Sequence, residues 1–252
     1  MGLSPMAMVM AIKYHICMGL REMFVKKCSV EQSGLLEMKT DRHSHVLPGV
    51  DDGIQRIEDS LSAIGYLESL GISDLWCTPH IMEEMPNKTE DLRLRFNELC
   101  QAYKGKVKLH LSPEYMMDLL FENRLKERDL IVGDDGFLLM ETYGGNSERP
   151  VLEMLEMALS AGYKPLLAHP ERYHFFSEKV YATIRSMGVG FQLNLPSVLG
   201  AYGDTVRSKS LMLLQKGWYE CMGSDCHRCA RLVEQYRSKV LPPRVLELLS
   251  TL

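Results

Sequence analysis

From residue 74 onward the chain repeats one grammar. A short apolar run ends in a polar residue able to do chemistry, and a stretch with apolar residues every three or four positions follows. The runs are Asp74-Leu-Trp-Cys-Thr-Pro-His80, Val107-Lys-Leu-His-Leu-Ser-Pro-Glu114, Phe137-Leu-Leu-Met-Glu141, Pro165-Leu-Leu-Ala-His169, Val189-Gly-Phe-Gln-Leu-Asn194 and Tyr219-Glu-Cys-Met-Gly-Ser-Asp225. They predict six strands. A seventh leads into Asp41-Arg-His-Ser-His45, although Met38-Lys-Thr-Asp-Arg42 is less apolar than a strand buried on both faces should be. Ile57, Leu61, Ile64 and Leu67 fall at helical spacing between Ile54 and Leu70, and Gly71 is a C-cap signal. Further helices are predicted over 89–104, 148–161, 178–187, 205–216 and 228–238. This is the pattern of βα units, and no linker or charge block divides residues 40 to 240, so a single closed α/β domain over 38–252 is expected. Residues 1–37 hold six of the 17 Met and two of the seven Cys with little periodicity, and are expected to be an N-terminal extension outside that domain.

Composition narrows the function classes. With 46% hydrophobic and 25% charged residues in 252, the chain is neither disordered nor fibrous, and its length suits one α/β barrel. A net charge of -4 from 29 basic and 33 acidic residues leaves no broad footprint for nucleic acid or an anionic membrane, so any phosphate recognition must be local. Seven irregularly spaced cysteines argue against a secreted disulfide framework and for a cytoplasmic protein. Lys13, His15, Arg21 and Glu22 interrupt the Met-rich start, so neither a spanning segment nor direct membrane insertion is expected. The run from Met6 to Ile12 lacks the flanks of a signal peptide.

The strand ends carry the chemistry. In chain order they bring His43 and His45, Asp52 in the following loop, then His80, Glu114, Glu141, His169, Asp225 and His227. In a parallel barrel these ends converge on one face, where such folds place their active sites. His43 and His45 lie two apart on a strand and face one side, as do Asp225 and His227. A crowd of imidazoles and carboxylates is stable only when cations neutralise it, and this donor mix suits divalent Mn, Fe or Zn. A polynuclear metal site is predicted. Any one of these residues alone would more plainly be a solvated loop side chain.

The strings Asp41-Arg-His-Ser-His-Val-Leu-Pro-Gly-Val-Asp-Asp-Gly53, Thr78-Pro-His80, Ala168-His-Pro-Glu-Arg-Tyr173, Gln192-Leu-Asn194 with Gly200-Ala-Tyr-Gly203, and Gly223-Ser-Asp-Cys-His227 resemble the bacterial protein tyrosine phosphatases of the polymerase and histidinol phosphatase (PHP) superfamily, found in capsule and exopolysaccharide operons. The resemblance spans about residues 38 to 240. It implies a distorted seven-stranded (β/α) TIM-like barrel, the PHP fold, with three divalent metal ions, usually manganese, with Fe, Zn or Co also suited. By similarity, His43, His45, Glu114 and Asp225 hold the first ion, Glu114, Glu141 and His169 the second, and Asp52, His80 and His227 the third. A hydroxide bridging two ions would attack phosphotyrosine in line. The implied partner is a phosphotyrosine protein, the C-terminal tail of a bacterial tyrosine autokinase.

Arg172 is the first candidate to clamp the phosphoryl group, against the alternative of a surface salt bridge with Glu171; Arg231, and less so Arg228, is a second. Tyr173 fits either a stacking role or packing. The chain departs from relatives at Ile81, where a second His is common, and the Gly-rich segment after Glu141-Thr-Tyr143 is either a lid or a turn. No Cys has Arg six residues later and no Asp-x-Asp occurs, which excludes thiol and aspartyl phosphatase chemistry. Cys226 and Cys229 form a lone Cys-x-x-Cys pair and read as incidental thiols. The alternative enzyme is a PHP phosphoesterase acting on a small molecule such as histidinol phosphate. An amidohydrolase would need a bridging Lys where this chain has Glu, and a binding module would have lost ligands.

Overall fold

A computed structural model describes residues 27–143 and 147–252. The strands are β1 (Cys28–Ser29), β2 (Thr40–Ser44), β3 (Asp74–Cys77), β4 (His80–Ile81), β5 (Lys108–Leu111), β6 (Glu114–Met116), β7 (Phe137–Glu141), β8 (Lys164–Ala168), β9 (Gly190–Asn194), β10 (Cys221–Gly223) and β11 (Val240–Leu241). The helices are α1 (Val30–Ser33), α2 (Ile57–Ser69), α3 (Thr89–Ala102), α4 (Leu119–Glu127), α5 (Glu148–Ser160), α6 (Glu178–Ser186), α7 (Leu195–Val198), α8 (Asp204–Gln215), α9 (Cys229–Ser238) and α10 (Pro243–Ser250). The six predicted helices are present within three residues at each end, and α1, α4, α7 and α10 are additional to them.

The chain forms a mixed α/β fold around a curled parallel sheet. Strands β10, β9, β8, β7, β6 and β4, in that order, make a six-stranded half-barrel, and β2, β3 and β5 make a second parallel sheet. Two predicted strands are thus each divided, at Thr78-Pro79 and at Ser112-Pro113. Proline has no N–H to donate, so the ladder breaks there and the strand turns out of one sheet into the other. Bonds from Ser112 N to Cys77 O and from Glu114 N to Pro79 O, both 3.0 Å, cross the break and keep the sheets joined. At the opposite margin Ser44 bridges Cys226 in parallel register, with Asp225 N donating to His43 O at 2.8 Å and His45 N to Cys226 O at 3.1 Å.

Alternation along the strands sorts their side chains. Leu138, Met140, Leu167, Phe191 and Leu193 belong to the main core, with Leu155 of α5 and Ile184 of α6. On the other face, Leu139, Leu166 and Ala168 form a small apolar cluster with Phe137 and Cys221. Above it the same face turns polar, with Glu141, Gln192 and Asn194 all buried. This period of two delivers chemistry to one end of a filled sheet.

The polar first strand has its own explanation. Arg42 of β2 is buried, yet its guanidinium lies 3.7 Å from the Trp76 ring centroid and makes a two-pronged ion pair with Asp135, at 2.6 and 3.0 Å. Stacking and pairing offset its desolvation, so an arginine is tolerated where an apolar residue is usual.

The described part of the N-terminal extension, residues 27–37, is in contact with the strands and helices that follow it. β1 pairs antiparallel with β11, Val30, Leu35 and Leu36 are buried in the main core, and Met38 N donates to Gly71 O at 2.8 Å. The segment lacks a visible period because it is short and irregular, but it packs as part of the domain. Residues 1–26 lie outside the described residues.

Candidate metal centre

All nine residues singled out as ligands come together, with Glu141, His169 and Asp225 at or just past the carboxyl ends of β7, β8 and β10 and with His80 and Glu114 opening β4 and β6. Glu114 is at the middle, with no exposed surface. One of its oxygens, Oε2, lies 3.1 Å from His43 Nε2, 3.3 Å from His45 Nε2 and 3.3 Å from His80 Nδ1, and the other, Oε1, lies 3.0 Å from His169 Nε2. Asp225 Oδ1 is 3.4 Å from His45 Nε2 and 3.3 Å from His227 Nδ1. Glu141 Oε1 is 2.9 Å from His80 Nδ1, and Asp52 Oδ1 is 3.4 Å from His227 Nε2 and 3.6 Å from His80 Nε2. Four groups have donor atoms within 4.8 Å of one another: His45, Asp52, His80 and His227; His43, His45 and Asp225; His43, Glu114 and His169; and His80, Glu114 and Glu141.

The contacts inside the cluster are poor ones for hydrogen bonding. His43 Nε2 and His45 Nε2 face each other at 3.0 Å, where at most one proton can lie between them. His80 Nδ1 and Glu141 Oε1, although 2.9 Å apart, are buried without a hydrogen bond, as is His169 Nδ1. Buried polar atoms in native proteins are normally paired, and atoms aimed at a shared space instead of at each other are what a cation site requires. The donor set of imidazole nitrogens and carboxylate oxygens suits divalent transition metals. On these grounds the residues fit metal ions.

Electrostatics agree with the geometry. Burial opposes ionisation of Glu114, but His43, His169 and His45 outweigh it and hold the carboxyl well below its ordinary range. Asp225 is likewise buried yet kept well below it, by His43, His227 and His45. Burial alone would depress the imidazoles, yet Glu114 and Asp225 raise His43, and Asp51 and Asp225 raise His45 further. Negative charge is locked in place at the bottom of the site.

Local folding aims these groups. His169 (φ 33°) and Asp225 (φ 50°) both take left-handed backbone conformations, uncommon for residues with side chains and often found where function constrains the chain. The His169 turn is pinned by Glu171, which is buried and accepts from Asn194 N and from the Tyr219 hydroxyl, both at 3.0 Å. Glu171 therefore faces inward and is no surface partner of Arg172. Tyr173 is a packing residue: its hydroxyl donates to Ala168 O at 3.0 Å and accepts from Thr142 N at 3.2 Å. Gly223 is required by close approach, since a Cβ there would stand 2.4 Å from His43 Cβ.

Beside the cluster opens a cavity of 370 Å³ whose lining includes Asp52, Arg172, Tyr202, His227, Arg228 and Arg231. Arg172 Nη1 donates to Asp225 Oδ2 at 3.1 Å, and its guanidinium lies 4.8 Å from the Tyr202 ring centroid. Arg231 stands on α9 at the cavity wall and Arg228 at that helix's N-cap, so all three candidate arginines reach one space. Ile81 is buried in the main core and is no ligand. The Gly-rich segment beyond Tyr143 lies, at 144–146, outside the described residues. Cys226 is buried and Cys229 half-buried, both free thiols.

Several contributors escaped the sequence reading. Asp51, not only its neighbour Asp52, belongs to the site: its Oδ2 is 2.8 Å from His45 Nδ1 and accepts from His80 N at 3.1 Å. Asp41 accepts from His43 N at 3.2 Å and Ser224 N at 2.8 Å, and burial pushes its carboxyl up to about 6 against those bonds. Asn194 donates to Asp225 Oδ2 at 2.7 Å. The Asp-Asp doublet and the polar end of β9 were the available signals.

Comparison with known proteins bears on this geometry. Residues 39–235 match the profile of the family described as capsular polysaccharide synthesis, CpsB/CapC. The putative tyrosine-protein phosphatase CapC of Staphylococcus aureus is 24% identical over 194 residues, covering 74% of this chain and 76% of its own. Tyrosine-protein phosphatase CpsB of Streptococcus agalactiae is 29% identical over 207 residues, covering 74% and 82%. Among solved structures, one from a study of YwqE of Bacillus subtilis and CpsB of Streptococcus pneumoniae, described as metal-dependent tyrosine phosphatases, superposes with a TM-score of 0.68 at 23% identity, covering 84% of this chain and 94% of that one. A lactonase of Listeria monocytogenes shares the fold at a TM-score of 0.52 and 11% identity, covering 81% and 82%. With its profile match running through every strand of the curled sheet, the chain belongs to the CpsB/CapC family of capsular polysaccharide synthesis.

Proposed function

We propose that this protein is a metal-dependent protein-tyrosine phosphatase. The observation that carries the reading is the convergence of nine imidazole and carboxylate side chains beside a cavity lined by three arginines. Relatives named as tyrosine-protein phosphatases support the substrate class and favour phosphotyrosine over histidinol phosphate. His43, His45, Glu114 and Asp225 would hold one ion, Glu114, Glu141 and His169 a second, and Asp52, His80 and His227 a third, and manganese would suit this donor set. The two parallel sheets are one distorted seven-stranded barrel interrupted at Pro79 and Pro113.

Divalent ions at this position supply positive charge to the phosphoryl oxygens and make water nucleophilic at neutral pH. The chain's own residues do the rest. Arg172 grips the phosphoryl group, its guanidinium steered by the Asp225 carboxylate beneath it and by the Tyr202 ring beside it. Arg231 is a second grip across the cavity. Tyr202 and Pro196 give the substrate ring an apolar wall. Arg228 and Arg231 of the cavity lining are exposed, so a tyrosine on a flexible segment can reach it, which suits the C-terminal tail of a tyrosine autokinase acting with this protein in the cytoplasm.

The test is phosphate release from a phosphotyrosyl peptide and from histidinol phosphate, side by side, by metal-stripped protein resupplied with Mn²⁺. Chelator-sensitive turnover of the peptide is expected. Preference for the small molecule, or turnover of neither, overturns the proposal.

A further inference from the structure

Strand β9 ends in two buried amides, Gln192 and Asn194, among strands that end in candidate ligands. Gln192 is fully buried. Its Nε2 donates to Leu193 O at 2.6 Å, while its Oε1 faces the backbone N of His169 at 3.3 Å and Nδ1 of His43 at 2.8 Å. A backbone N–H can only donate and a backbone carbonyl can only accept. The orientation of the amide is therefore dictated at both ends by main-chain partners, and the group facing His43 is an acceptor. It follows that His43 carries a proton on Nδ1. In the neutral ring the lone pair then sits on Nε2, the atom 3.0 Å from His45 Nε2 and 3.1 Å from Glu114 Oε2.

Neither side chain has room to choose otherwise. A Cβ on residue 223 would stand 2.4 Å from His43 Cβ and 2.9 Å from Gln192 Nε2, so the β10 backbone presses directly on both. His45 is oriented by different means, through the Asp51 carboxylate at its Nδ1, which also accepts from Gly53 N at 2.9 Å. The two imidazoles of the His-Ser-His pair thus have separate partners that turn them the same way.

We infer that Gln192 is a positioning residue of the metal centre: it holds His43 as the Nδ1–H tautomer so that Nε2 binds the ion, and through His169 N it steadies the turn that presents the next ligand. This rests on the metal-centre reading above and adds to it which ring nitrogen binds and what selects it. Partners of this kind tune affinity without touching the metal.

The unaltered protein, loaded with Zn²⁺ and labelled with ¹⁵N in histidine, gives the first test. The His43 signals should show a protonated Nδ1 and a metal-bound Nε2; binding through Nδ1 overturns the inference. Protein that takes up no Zn²⁺ refutes the metal-centre reading itself, a separate result. Replacing the amide gives the second test. Gln192→Met keeps the length and removes the acceptor, and should weaken Zn²⁺ in a chelator competition about 10- to 100-fold. Gln192→Glu keeps an acceptor against Nδ1 and should recover most of that loss. Unchanged affinity in Gln192→Met, or equal loss in both variants, overturns the inference, and the spectrum of the unaltered protein decides if Gln192→Met does not fold.

Discussion

Arg172 shows how one side chain serves two masters. Its Nη1 is committed to Asp225 while Arg172 also lines the cavity, so it pairs a buried carboxylate and, on the proposed reading, would still offer donors to an incoming anion. Arg172→Ala should leave metal content intact and lower kcat/KM on a phosphotyrosyl peptide by about 100-fold, in the range seen when an anion-stabilising donor is lost. Arg172→Lys should recover only part, because an ammonium cannot span two oxygens. Elemental analysis beside steady-state kinetics checks both. At this scale the sequence was informative about the side chains that converge and poor about their supports. His43, Glu114 or Asp225 announces itself as a polar residue where an apolar run ends. Gln192 in β9 and Glu171 in the turn after β8 are also polar, but their roles depend on which groups face them, and that is set by the neighbouring strands.

Among the elements, the helices were legible because each is amphipathic over several turns, as Leu155 and Ala158 on α5 and Val180 and Ile184 on α6 illustrate. The division of two strands at Pro79 and Pro113 was written in the sequence as Thr-Pro-His and Ser-Pro-Glu, but reading it as a change of sheet requires knowing which edges lie ready to pair. The segment ahead of Met38 hid for a different reason: a two-residue strand and a four-residue helix show no period. Its packing has a measurable worth. Val30, Leu35 and Leu36 are buried, and at about 1.5–3 kcal/mol each their removal costs several kcal/mol. A chain beginning at Met38 should therefore unfold at clearly lower urea than one beginning at Lys27, as equilibrium fluorescence would show. Equal midpoints would return the segment to the status of an appendage.

For the molecule as a whole, β2 of one parallel sheet meets β10 of the other along a seam. The Ser44–Cys226 bridge, main-chain bonds and the Asp41 carboxylate, which accepts from Ser224 N at 2.8 Å, hold β2 to the β10 side. His43 and His45 stand on one side of that seam and Asp225 and His227 on the other. An ion shared between them would be a clasp, joining positions about 180 residues apart in the chain, and its removal would loosen the two sheets where they meet. Mn²⁺ should raise the unfolding temperature in a concentration-dependent way, and chelation should speed hydrogen exchange at the amides of His45 and Asp225 more than at those of β8. A uniform change across the strands would contradict this. The cell would then read metal supply twice through one seam, once as turnover and once as lifetime, because a seam left unclasped would be open to proteases as well as idle.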